Sequence, residues 1–278
     1  MHSGIPTVLD PRRDCQQIAW RIGCIDFPWD TTRALELALF RTFASPRIGG
    51  LLHTTGEFEA RTQKRYDDTD LLVSEIVENG FDSERGRRAI ARMNSLHGRF
   101  KIRNDDFQYV LSTFIFEPIR WNARFGWRRM NETERHAWFW FWRNVGERMN
   151  ILELPEDYAA FERFSRDYEA EHFRFTDANQ HVALATREMF AGWFPRPLRP
   201  LVRRSIHGLL DDPLRIAFGL PRPPRWLAWT VERALRARAV ALRVLPGRKR
   251  PRLRTRIPRA GCPRDYKIES LGPPPSDP

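Results

Sequence analysis

The residue with the most chemical potential in this chain is His97, in the run Arg92-Met93-Asn94-Ser95-Leu96-His97-Gly98-Arg99-Phe100. On a helical period Ile90, Met93, His97 and Phe100 or Lys101 fall near one stripe, so the imidazole is expected to face apolar neighbours. A buried imidazole needs a partner, either an ordinary hydrogen-bonding neighbour or a metal held by its neutral ring nitrogen. Glu169-x-x-His172 is a second suggestive spacing. It puts a carboxylate and an imidazole on the same helix face, as in one half of a di-iron carboxylate site. The sequence holds no second copy, so on spacing alone a salt-bridging stretch of helix is the simpler reading. His53, His136, His181 and His207 are isolated and read as structural or surface residues.

Several reaction classes lack their motifs. There is no His-Glu-x-x-His, no Gly-rich phosphate loop and no Gly-x-Ser-x-Gly elbow, which disfavours zincin, NTPase and hydrolase chemistry. Cys15, Cys24 and Cys262 form no Cys-x-x-Cys pair and are expected to be reduced thiols.

The elements that must position His97 are helical. Phe107, Val110, Leu111, Phe114 and Ile115 follow a helical period after Asn104, an expected N-cap, and Pro118 is expected to end that helix. Asn131 and Glu134 form a capping-box pattern ahead of Trp138, Trp142, Val145 and Met149. Pro155 opens a segment with Tyr158, Phe161, Tyr168 and His172. Helices are also expected over 31–43, 69–79 (closed by Gly80), 179–193, 198–210 and 226–245. No stretch alternates as a strand would, so the fold class is all-α, a single-domain multi-helix bundle. The helical domain is assigned to residues 1–245 and a basic Pro/Arg-rich tail, either wrapped on the body or disordered, to 246–278.

Ten Trp and 19 Phe among 278 residues imply a bulky aromatic interior. Of the net charge of +12, +11 lies between Arg233 and Arg259, where no acidic residue occurs. That distribution favours a nearly neutral body with a basic appendage over a nucleic-acid-binding fold. The helix 226–245 sets Leu227, Val231, Leu235, Leu242 and Leu245 near one face, with Trp226 at its start and arginines elsewhere. Such a segment suits a packed C-terminal helix, or peripheral contact with an anionic membrane through Trp226 to Arg259. The opening residues lack the pattern of a secretory signal, and no run reaches the roughly 18 apolar residues of a membrane span. A cytoplasmic location, with membrane association at most peripheral, is the expectation.

Five blocks in order carry a family resemblance: Thr55-Gly56-Glu57-Phe58; Lys64-Arg65-Tyr66-Asp67-Asp68-Thr69; Ala91-Arg92-Met93-Asn94-x-Leu96-His97; Asn104-Asp105-Asp106-Phe107-x-Tyr109-x-Leu111; and Glu117-Pro118-Ile119-Arg120-Trp121. Together with Phe141-Trp142, Gly146 and Arg148-Met149-x-Ile151, they resemble the MpaB oxygenases, relatives of the latex clearing proteins that cleave rubber. The resemblance implies an α-helical haem b protein that uses molecular oxygen to cleave a carbon–carbon double bond in an apolar, isoprenoid- or lipid-like substrate. It makes His97 the axial iron ligand and sets Arg65 and Thr69 beside the haem as candidate catalytic residues. Latex clearing proteins carry a lysine immediately before that threonine; here the residue is Asp68, so a lysine cap on the iron is not expected.

A haem b site also needs apolar walls and cations for two propionates. Met93, Phe100, Phe107, Phe114 and the Trp138–Trp142 cluster are candidate walls, and Arg65, Arg92, Arg99 and Arg103 are candidate propionate partners. A long channel walled by Phe and Trp is expected to admit the substrate. The alternatives are a non-haem di-iron oxidoreductase at Glu169 and His172, and a non-catalytic membrane-peripheral binding protein of the same fold.

Overall fold

The computed structural model describes residues 9–262 and 265–273. Among these residues there are α-helices and short helical turns and no strand, so the all-α expectation holds. The helices are α1 (Cys15–Arg21), α2 (Pro28–Thr42), α3 (Pro46–Thr54), α4 (Glu57–Ala60), α5 (Thr62–Asn79), α6 (Glu84–His97), α7 (Asn104–Phe125), α8 (Glu132–Arg148), α9 (Tyr158–His172), α10 (Asp177–Gly192), α11 (Arg199–His207), α12 (Asp212–Ala217) and α13 (Arg225–Val244).

Helix α7 is the axis of the bundle, lying against α2, α8, α9 and α13. Its interior positions are almost all buried, including Tyr109, Ile115 and Phe116. Pro118 does not end it. A proline cannot donate to the carbonyl four residues back, but here the Phe114 carbonyl accepts from Trp138 Nε1 at 3.0 Å. A side chain from α8 therefore supplies the donor that the backbone lacks, and the helix continues to Phe125. Asn104 is likewise not the cap. It is the first helical residue, and its amide exchanges two hydrogen bonds with the Leu152 backbone, each 2.9 Å.

The α7–α8 contact is close because Gly146 has no side chain: a Cβ there would lie 2.4 Å from Leu111 Cδ2. The Asn131–Glu134 capping box at the start of α8 forms as expected. Helix α9 begins at Tyr158, not Pro155, capped by Asp157. The helix expected over 69–79 starts seven residues earlier, at Thr62. Gly80 ends it at φ +83°, a conformation that favours glycine.

One core joins α1, α5, α6, α7, α8 and α9; a second joins Phe40, Phe43, Val182, Leu214 and Phe218 from α2, α10 and the region of α12. The segment after α13 runs across α5 and α6. Arg254 and Arg259 pair with Asp70, Thr255 bonds Glu78, the Gly261 amide donates to Asp67 at 2.8 Å, and Tyr266 donates to Glu75. Ile268 and Leu271 are buried in the main core. Acids on one face of α5 thus hold the segment, two of its arginines through Asp70.

Candidate functional site

His97 is the last residue of α6, and it faces Phe107 of α7, with ring centroids 5.4 Å apart. Its Nδ1 is shielded from solvent and has no hydrogen-bond partner. The C-terminal end of a helix ordinarily favours the imidazolium. Here burial opposes it and the nearby Arg65 guanidinium adds to the effect, so the ring is pushed down to about 4. Desolvation and like charge outweigh the helix end, and His97 stays neutral with a lone pair available.

Arg65 comes from α5. Thr69, one turn on, accepts from Arg65 Nη1 and donates to the Arg65 carbonyl at 2.9 Å. The Phe58 ring of α4 lies 5.6 Å from the guanidinium carbon. Burial lowers the affinity of Arg65 for its proton, only partly offset by Asp68 and Glu57. Among the described residues no carboxylate comes within ion-pairing distance of it: Glu57 is held by Arg61, and Lys64 takes Asp68 at 2.6 Å. Asp68, where latex clearing proteins have lysine, is buried with its second oxygen unpartnered.

The structure therefore brings together His97, Arg65 and Thr69. Met93 lies one turn before His97 and packs against the main core. Arg92 points elsewhere, its Nε donating to the Leu271 carbonyl at 2.7 Å. Arg103 pairs with Asp105. Phe100 lies past the end of α6 and is exposed. Trp138 and Trp142 are buried against Phe141 and Phe114 in the α7–α8 core. A cleft of about 590 Å³ is lined by Arg187, Arg203, Arg204, His207 and prolines, and not by the Phe and Trp walls expected of a substrate channel.

The remaining family blocks are tied to one another. Asn94 donates to the Arg148 carbonyl at 3.0 Å, Gln108 to the carbonyls of Leu152 and Glu153, and Arg120 pairs with Glu117 at 2.8 Å. The Asn94 bond ties α6 to the end of α8 and the Gln108 bonds tie α7 to the loop after α8, while Glu117–Arg120 stays within α7.

Glu169 and His172 are otherwise engaged. Arg41 clamps Glu169 through two bonds of 2.6 and 2.7 Å, Tyr109 donates to the same carboxylate, and His172 stacks on Tyr168 at 4.3 Å. Among the described residues no set of three metal-ligating groups includes either of them.

The donor set at His97 fits a haem. A neutral, half-buried imidazole whose shielded Nδ1 is unsatisfied suits iron, and a half-buried guanidinium with no ion-paired carboxylate among the described residues suits a propionate.

Residues 25–244 match the profile of the family described as ER-bound oxygenase mpaB/B'/Rubber oxygenase, catalytic domain. The chain is 31% identical over 223 residues to ER-bound oxygenase mpaB' of Penicillium brevicompactum, covering 73% of this chain and 53% of that protein. It is 30% identical over 219 residues to ER-bound oxygenase mpaB of Penicillium roqueforti (strain FM164), covering 72% and 74%. It thus spans about half the length of the first relative and about three quarters of the second. With four fifths of its length matched, the chain belongs to the mpaB/rubber oxygenase family.

Proposed function

We propose that this chain is a haem b-dependent oxygenase that cleaves or oxidises a carbon–carbon double bond in an apolar, isoprenoid- or lipid-like small molecule. The observation that carries the reading is a neutral His97 whose shielded Nδ1 has no hydrogen-bond partner, near a half-buried Arg65 that has no carboxylate within ion-pairing distance among the described residues. Each is costly in a protein interior unless a ligand completes it. An iron porphyrin would complete both, and the family's named oxygenase activity supports the choice.

When bound, haem b supplies the redox chemistry with molecular oxygen. His97 would hold the iron from α6, and Phe107 would fix the ring's orientation. Arg65, braced by Thr69, would orient a propionate and place positive charge beside the cofactor. Lys64 neutralises Asp68, which keeps an uncompensated anion away from that face. Arg92 and Met93 then act in a supporting role, Arg92 by anchoring the C-terminal segment behind α6 and Met93 by packing beneath the histidine. To test the activity, haem-loaded protein is incubated aerobically with a panel of isoprenoid alkenes and the carbonyl products are trapped. Oxygen-dependent carbonyl formation by the wild type and none by His97→Ala supports the reading; no product from any alkene with a haem-loaded protein opposes it.

Peripheral membrane contact is a second element of this reading, supported by α13. Trp226, Trp229, Val240 and Val244 are all exposed, and their spacing sets them on one stripe of the helix, with Arg233 beside Trp229. The inner side is held by Leu227, Ala239 and an Arg238–Asp30 ion pair at 2.9 Å, while Leu245, expected on the packed face, is exposed. An outward Trp- and Arg-bearing stripe suits a headgroup layer. No helix among the described residues is long and apolar enough to cross a membrane, and the relatives are named ER-bound.

A further inference from the structure

We propose that His53, Glu59 and His181 form a binding site for zinc or a similar borderline divalent transition ion, separate from the proposed haem site. The three residues come from three helices, α3, α4 and α10; His53 and Glu59 are six residues apart, and His181 lies far along the chain from both. His53 Nδ1 lies 2.6 Å from Glu59 Oε1, and the His53 and His181 rings are 5.2 Å apart. One ligand atom from each residue lies within 4.8 Å of the other two.

The chain is turned to make this meeting. Gly56, between α3 and α4, has φ +66°, a left-handed conformation that a side chain would strain. That turn folds α4 back so that Glu59 meets the last turn of α3, while α10 packs alongside and delivers His181. Two imidazoles and one carboxylate are a ligand set that zinc accepts with water in the fourth position. Tetrahedral zinc with bonds of about 2.1 Å needs ligand atoms roughly 3.4 Å apart. His53 and Glu59 are already nearer than that. The side chains are half-exposed or exposed, so rotation about their own bonds closes the His181 gap. Imidazole nitrogens select against calcium and magnesium, which prefer all-oxygen shells.

The site has a structural consequence. Helix α4 contains no buried residue, yet it carries Phe58, which packs against Arg65 and Phe43. A metal bridging Glu59 to His181 fastens α4 to α10 and so steadies the aromatic ring that covers Arg65.

The test is isothermal titration of zinc chloride into the full chain, with thermal unfolding measured with and without zinc. One zinc per chain is expected, with a raised Tm. His53→Ala and His181→Ala should each weaken binding at least about tenfold, since loss of even an outer partner of a metal ligand costs that much. Both residues are accessible, so the variants should fold, and circular dichroism checks this. Magnesium should leave Tm unchanged and His136→Gln should bind zinc as the wild type does. The proposal is overturned if the wild type takes up no zinc at a single site, or if the His53→Ala/His181→Ala double variant binds it as tightly. Haem absorbance plays no part in these readouts.

Discussion

Thr69 grips Arg65 with one hydroxyl, accepting a hydrogen bond from the guanidinium and donating one to the Arg65 carbonyl at 2.9 Å. Among the described residues no carboxylate pairs with the arginine, which is thereby fixed on its own helix with its charge available to a ligand. Thr69→Val keeps the shape and removes both bonds, and Thr69→Ser keeps the bonds. Losing a hydrogen bond to a charged group costs about 1.5–3 kcal/mol. Haem titration should therefore show affinity reduced by about tenfold or more for Thr69→Val and close to wild type for Thr69→Ser; equal affinity in all three would remove Thr69 from the site.

Glu36 of α2 gives a pH dependence with a definite sign. Its carboxylate accepts from Arg33 at 2.6 Å and from Tyr66, but burial dominates and raises it to about 7. The unfolded chain releases this proton near 4.5, the native chain only near 7. Between these values the unfolded state is favoured progressively, so the stability contributed by Glu36 falls as pH rises and stays low above 7. Glu36→Gln removes the titration while keeping an acceptor oxygen. Relative to wild type it should gain about 3 kcal/mol on going from pH 4 to pH 8. Urea denaturation at the two pH values measures this; an unchanged difference would contradict it.

The Trp138–Phe114 bond predicts a rescue. Trp138→Phe leaves the Phe114 carbonyl without the indole donor at the place where Pro118 offers none, which should cost about 1–3 kcal/mol in addition to lost packing. Pro118→Ala restores a backbone donor. In the Trp138→Phe background that second change should recover part of the loss, whereas in the wild type it should bring no comparable gain. Additive effects in the double-mutant cycle would show that the two positions are independent.

Removing residues beyond 245 tests whether they are an appendage. Two buried aliphatic side chains, Ile268 and Leu271, would be lost, each contributing about 1.5–3 kcal/mol. Asp70 and Glu78 on α5 would lose the partners this segment supplies, and Asp67 and Glu75 would each lose one bond while keeping Gln63 and Arg85. The truncated chain should unfold at a Tm more than about 5 °C lower. An unchanged Tm would establish 1–245 as a self-sufficient domain.

What the sequence disclosed follows from how local each cause is. The capping box at Asn131 and the end of α5 at Gly80 rest on neighbours a few residues away, and both could be read directly. Pro118 misled because its missing donor is replaced from a residue twenty positions on. Arg92 looked available from spacing, but its partner is Leu271, far along the chain. His97 was legible from its helical stripe, whereas Arg65 and Thr69 came from the family motifs; the imidazole's neutrality and the guanidinium's lack of an ion-paired carboxylate among the described residues emerge only when α5 and α6 are packed. His53 and His181 looked isolated because nothing in a linear pattern records that α3 and α10 are neighbours.

The most direct test is the absorption spectrum of protein produced with haem supplementation, with His97→Ala compared at matched circular dichroism. The account predicts one haem per chain and a Soret band in the wild type that is lost or shifted in the variant. A well-folded wild type that binds no haem, or a variant whose Soret band matches the wild type, would contradict it.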